Sequence, residues 1–224
     1  MLQNRTRRNK KQQASSGKAK AVFYFLFYLV LVLFIYSFTI PFSNPMSLYL
    51  SSATFSLLFP TSVFAYLLFK GHSLGDIVDQ LGLSKKHFSS RMLAIGLMLF
   101  LIVFLIEILV SLISSAMHIS INTGVSTLLS GAPLWFGVFA VVVAPLDEEI
   151  LFRGFMVPRI GIWLSAFIFA ILHYGYNSTY GIEVIAAFIF AAIAGYIFKR
   201  TKSLYPSLLA HMLVNLLPVL LYMV

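Results

Sequence analysis

The chain has 224 residues, 60% of them hydrophobic and only 10% charged, with a mean hydropathy of +0.92 and a formal net charge of +9. Soluble domains run closer to half apolar and a quarter charged, so this balance describes a membrane protein rather than a soluble binder of nucleic acid. There is no cysteine, which removes disulfides, thiolate zinc sites, iron–sulfur clusters and cysteine nucleophiles.

Residues 1–20 carry seven Lys or Arg and no acid. Such a segment cannot bury a core and is expected to be a disordered basic tail lying against anionic headgroups, with no nucleic-acid partner. The apolar run from Ala21 to about Ile40 is long enough to cross a bilayer. SFTIPFSNP beyond it offers no small-x-small cleavage site, so the run reads as an uncleaved first span. Further spans are expected at about 46–69, 92–117, 133–157, 161–174, 182–198 and 204–223. The fifth of the seven is short and the fourth is interrupted by charge. Between the second and third, Leu74, Ile77, Val78, Leu81 and Leu83 recur at the spacing of a short amphipathic helix lying on the membrane surface. No internal repeat is evident.

Seven spans place all 16 basic residues on one side. They fall in the tail, at Lys70, Lys85, Lys86 and Arg91, at Arg153 and Arg159, and at Lys199, Arg200 and Lys202. The opposite loops, near 41–45, 118–131 and 174–181, hold none. By the positive-inside rule the N-terminus is cytoplasmic; six spans would break the parity. The expected fold is an all-α polytopic bundle of about seven transmembrane helices. It comprises a tail (1–20) and a multi-pass membrane domain (21–224).

Ionisable groups within spans are costly and are functional candidates by default. Here they are Glu107, Asp147, Glu148, Glu149, His173, Glu183 and His211, with Arg153 near a span's end. Three patterns stand out: Glu148-Glu149-x-x-x-Arg153, Phe169-x-x-x-His173 and His211-x-x-x-Asn215. Glu149 and Arg153 are spaced for an i,i+4 ion pair with the acid N-terminal, expected to hold a helix end. Glu148, about 100° round the helix, is left available. Phe169 shares a face with His173, and His211 shares one with Asn215. Asp147 is expected to cap a helix start after Pro145, while Glu107 and Glu183 match no motif. Counted at about 1.5 Å per residue from the nearest basic residue, Glu148, His173 and His211 fall at about 16, 21 and 13 Å, near one membrane layer.

A carboxylate, two imidazoles and a carboxamide suit hydrolysis of an amide by activated water. Glu148 is placed to take the proton and His173 to share or orient it, since burial makes a carboxylate a stronger base. His211 and Asn215 are placed to donate to the oxyanion. Glu148, His173 and His211 are also sensible zinc ligands, although no HExxH pair is present. The expectation is no cofactor, with zinc the alternative.

In this order, on successive C-terminal spans, the three motifs resemble the CPBP family. It groups type II CAAX prenyl endopeptidases with bacteriocin-processing and self-immunity proteins. The resemblance covers roughly residues 70–224 and implies a helical intramembrane endopeptidase. It implies Glu148 as the water-activating acid with His173 its partner, and His211 and Asn215 as the oxyanion pair. Glu149, Arg153 and Phe169 would be supporting residues. The implied partners are the bilayer and a peptide or membrane-protein substrate. A non-catalytic immunity or regulatory protein, bound to a bacteriocin, sensor or transporter, is the alternative. A small proton-coupled transporter is a third reading, weakened by the lack of repeat symmetry.

Overall fold

The computed structural model describes residues 23–33, 35, 45–118, 128–173 and 182–223, without the side chains of 45, 182 and 183. The basic tail and most of the three expected base-free loops lie outside them. Every regular element among the described residues is helical. The chain divides into two compact units, residues 1–79 and 80–224.

In the first unit, α1 (Phe23–Leu33) is a short apolar helix and α2 (Pro45–Phe69) a long one. Phe23 stacks on Phe64 with ring centroids 5.0 Å apart. Thr54 and Thr61 return their hydroxyls to the carbonyls of Leu50 and Leu57, each at 2.7 Å, so these polar groups are satisfied within the helix. The amphipathic segment forms α3 (Leu74–Gln80), shorter than its apolar spacing predicts. Ile77 and Leu81 are buried while Leu74 is exposed. Its start is a reciprocal cap. Ser73 Oγ donates to Asp76 Oδ2 at 2.6 Å, and the Asp76 N–H returns to Ser73 Oγ at 3.2 Å. The Ser73 hydroxyl and N–H hold the Asp76 carboxyl below the ordinary carboxylate range.

The second unit contains α4 (Ser90–Ala116), α6 (Ile162–His173), α7 (Ile182–Thr201) and α8 (Tyr205–Tyr222), with α5 a continuous helical run over residues 134–160. α4 packs along α8 and α6 along α7, with α5 against α6, α7 and α8. Close approach of α4 to α8 needs Gly96, where a Cβ would stand 2.8 Å from the Pro206 carbonyl. The stretch after α3 is pinned to the α7–α8 turn. Leu204 N–H donates to the Gly82 carbonyl (3.1 Å), Tyr205 to the Leu83 carbonyl (2.8 Å) and Ser203 to the His87 carbonyl (2.8 Å). Gly82, at φ +75° and with Lys202 O 2.7 Å from where a Cβ would be, admits no larger residue without a shift.

Among the described residues, four helices are long and apolar enough to cross a bilayer: Met46–Phe69, Ser90–Ala116, Val184–Thr201 and Tyr205–Tyr222. This is a helical membrane bundle; the seven-span count and the side of the N-terminus remain expectations of the sequence. α6 has 12 residues, about 18 Å of helix, against a hydrocarbon core of about 30 Å.

The charged fourth segment is helical throughout but not uniformly α. Residues Phe139–Val143 and Ile150–Met156 form π turns, flanking the α segment Ala144–Glu149. Each π turn ends against a proline. Ala144 N–H reaches the Phe139 carbonyl and Val157 N–H the Phe152 carbonyl, five residues back, and Pro145 and Pro158 follow. A proline ring clashes with the carbonyl four residues earlier, and a widened turn relieves the clash. Two expectations change as a result. Asp147 has no helix start to cap, because the helix runs through Pro145, and it is buried. Arg153, counted among the loop cations, lies inside the bundle, so Arg159 alone carries the topological charge there.

The first π turn also leaves the Ala140 carbonyl without a partner in its register, because the residue five positions on is Pro145. Asn215 supplies it: its Nδ2 donates to Ala140 O at 2.8 Å. Asn215→Ala is therefore expected to cost about 1–3 kcal/mol, the penalty of a stranded, largely shielded acceptor. In a Pro145→Ala background, which restores an N–H, the same change is expected to cost less than about 1 kcal/mol. Unfolding free energies of the two single variants and the double variant in micelles check this coupling. Simple additivity would contradict it.

Candidate active site

Three helices bring the sequence-predicted polar residues to one place. Glu148 and Glu149 come from the α segment between the two π turns, His173 from the end of α6, and His211 from the middle of α8. The two glutamates occupy different environments, as their angular separation requires.

The Glu149 carboxylate is fully buried, and so is its partner Arg153, with side-chain exposures of 0% and 1%. Glu149 Oε1 lies 3.0 Å from Arg153 Nη1 and accepts from His211 Nδ1 at 3.0 Å. The Arg153 contact is close, but its N–H is not aligned on the oxygen, so the pair is held by charge rather than by a directed hydrogen bond. Aromatic faces replace part of the lost hydration. The guanidinium carbon lies 4.3 Å from the Phe169 ring centroid and 4.9 Å from that of Phe190. Phe152 meets Phe169 edge to face at 5.1 Å. The pair expected at a helix end is thus an interior pair, and it also holds a histidine.

Glu148 is 20% exposed. Its Oε2 lies 3.7 Å from His211 Nε2 and 3.9 Å from His173 Nε2. His173 is 31% exposed, and its Nδ1 lies 2.8 Å from the Phe169 carbonyl. A carbonyl only accepts, so that Nδ1 carries the proton; the same logic protonates His211 Nδ1 against the Glu149 carboxylate. In the neutral rings both Nε2 lone pairs therefore face the Glu148 carboxylate. At 3.7 and 3.9 Å from Glu148 Oε2, the two nitrogens are too far for direct hydrogen bonds and suit a bridging group.

Two imidazoles braced through their other nitrogen, beside a carboxylate, have the donor chemistry that zinc accepts. Among the described residues no group of three or more His, Cys, Asp or Glu is arranged as a metal site.

Phe169 is buried and its ring lies 4.3 Å from that of His173, centroid to centroid. Asn215, one turn beyond His211, is turned to the Ala140 carbonyl. Glu107 is half-buried midway along α4, and the Glu183 side chain lies outside the described residues. Phe152, Phe190 and the Ala140 carbonyl escape sequence reasoning. The two rings sit in uniformly apolar runs, and the carbonyl's need arises only from the π register; Pro145 inside a span was the one available signal.

Loss of the buried anion leaves Arg153 uncompensated. Glu149→Gln is expected to destabilise the protein by about 3–5 kcal/mol, and Glu148→Gln by less than about 1 kcal/mol because Glu148 is partly exposed and has no partner at bonding distance. Unfolding in micelles measures both; the reverse order would contradict this division.

Residues 130–217 match the family model for type II CAAX prenyl endopeptidase, Rce1-like. That range contains every residue of the three motifs. The uncharacterized protein YpbD of Bacillus subtilis (strain 168) is 30% identical over 78 residues, 35% of this chain and 41% of YpbD. The chain thus spans less than half the length of this curated relative. No solved structure matches it. Residues 130–217, the segment that holds the glutamate pair and both histidines, are thus similar to the Rce1-like type II CAAX prenyl endopeptidases.

Proposed function

We propose that this chain is an intramembrane endopeptidase of a bacterial plasma membrane. It hydrolyses a peptide bond of a membrane-associated protein or peptide with water activated by Glu148. One observation carries the reading: the Glu148 carboxylate stands within 4 Å of two imidazole nitrogens whose other ring positions are fixed.

Proton counting constrains how the cluster works. A water has two hydrogens, and Glu148 Oε2, His173 Nε2 and His211 Nε2 are three acceptors, so the cluster needs one further proton. Placed on His211 Nε2, it makes that ring a donor at both nitrogens, to Glu149 and towards the substrate. Water then donates to Glu148 and His173. As its oxygen bonds to the scissile carbonyl carbon, its proton passes to Glu148. The oxyanion accepts from His211 Nε2–H and from the second N–H of Asn215, whose first is engaged by Ala140 O. Collapse breaks the C–N bond, and Glu148 returns the proton to the leaving amine. No cofactor takes part. The residues of the site contain nothing that requires a prenyl group on the substrate.

A second reading has one observation in its favour: His211 and Asn215 both make bonds that hold helices together. A non-catalytic immunity or regulatory protein would keep the same bundle and use the cluster only for packing.

Comparison of membrane-associated peptides from cells with wild type and with Glu148→Gln, by mass spectrometry at matched protein level, separates the two. Peptides with new termini are expected only with wild type, with Glu148→Gln reducing them at least about a hundredfold. Identical peptide profiles would favour the non-catalytic reading.

A further inference from the structure

Basic residues gather at the end of the second unit opposite to the Glu183 end of α7. Lys85 and Lys86 stand in the stretch pinned to the α7–α8 turn, beside Lys199, Arg200 and Lys202. No acid occurs from Ile150 to Ile182 or from Val184 onwards. Glu183 is 16 residues before Lys199 on α7, about 24 Å away along the helix. Glu149 is taken by Arg153 and His211.

At this end a cavity of about 280 Å³ is lined by Val157, Pro158, Gly161, Phe198, Lys199 and Lys202. Nearby arginines are turned onto their own helices. Arg159 donates to the Phe155 carbonyl at 2.7 Å and lies over the Phe155 ring, and Arg200 donates to Tyr196 Oη at 3.2 Å. Lys199 and Lys202 are exposed and have no such engagement among the described residues. Lys202 is held in place by its backbone. At φ +57° it ends α7, and its N–H closes on the Phe198 carbonyl at 2.8 Å, which keeps it beside the cavity. Gly161, at φ +85° with open space where a Cβ would be, leaves the start of α6 bare on the opposite wall. The first N–H groups of that 12-residue helix have no acceptor within it. Trp163, two residues on, is 70% exposed and stacks near Phe188, as suits a ring at the level of lipid headgroups.

We propose that this cavity binds the phosphate of an anionic phospholipid headgroup. Lys199 and Lys202 supply the charge, the bare start of α6 supplies N–H donors, and Val157, Pro158 and Phe198 face the glycerol and first methylenes. The requirement for a lipid rather than free phosphate comes from the apolar walls and from the position of the cavity at the membrane-facing basic end. The site is independent of the proteolytic reading.

The test uses the purified full chain in a neutral detergent, with phosphatidylglycerol, phosphatidylcholine or inorganic phosphate added, read by retained lipid in native mass spectrometry and by thermal shift. One phosphatidylglycerol is expected to be retained about tenfold to thirtyfold more strongly than phosphatidylcholine, the effect of two lysines near an anionic headgroup. Lys199→Gln with Lys202→Gln should abolish that preference, whereas Lys10→Gln with Lys11→Gln in the tail should keep it. Equal retention of both lipids, or a preference untouched by the Lys199 and Lys202 changes, would overturn the proposal. So would phosphate alone reproducing the full thermal shift, which would assign the site to the free anion.

Discussion

The carboxylate of Glu149 holds two partners at once in the apolar interior, and the candidate site depends on that. Removing a carboxylate and a guanidinium from water costs several kcal/mol per ion. The cost is offset only because Oε1 meets both Arg153 and His211 at 3.0 Å while Phe169 and Phe190 cover the guanidinium. One anion thus joins α5 to α8 and fixes which nitrogen of His211 faces Glu148. With Glu149 committed, its neighbour is free to be reactive. One helix turns two adjacent residues of one type to different surroundings, one buried and paired, the other partly exposed.

Backbone irregularity sets that helix up. Pro145 and Pro158 each force a π turn, and the stretch between them carries Asp147, Glu148 and Glu149 in α register. The carbonyl freed by the first turn is closed by Asn215 from the same helix that carries His211. α8 is therefore tied to α5 at two levels, through His211 to Glu149 and through Asn215 to Ala140. A defect required by proline becomes the link that fixes helix register around the cluster.

The helix positions were legible in the sequence, because apolar runs of span length bounded by basic residues have few alternatives in a bilayer. Expected spans at 92–117 and 204–223 correspond to Ser90–Ala116 and Tyr205–Tyr222. The pairing of Glu149 with Arg153 followed from i,i+4 spacing, and the shared depth of Glu148, His173 and His211 followed from counting residues. Burial of the ion pair was not legible. Counting along one helix locates Arg153 near a span's end, and only packing by α6 and α7 encloses it. The choice of Glu149 rather than an oxyanion as the partner of His211 Nδ1 was equally hidden, since it depends on the rotation of α8 against α5. π turns leave no periodic signature beyond the prolines that cause them.

The proposed protease needs no nucleophile of its own, and its mechanism stands on water, not Glu148, bonding to the scissile carbon. Cleavage in ¹⁸O-water of a peptide identified as a substrate, under single-turnover conditions, separates the two. Water attack predicts one ¹⁸O in the new carboxyl terminus and an unlabelled Glu148 carboxylate. Label in Glu148 with none in the first-turnover product would mean direct attack by the carboxylate and would contradict its role as a base.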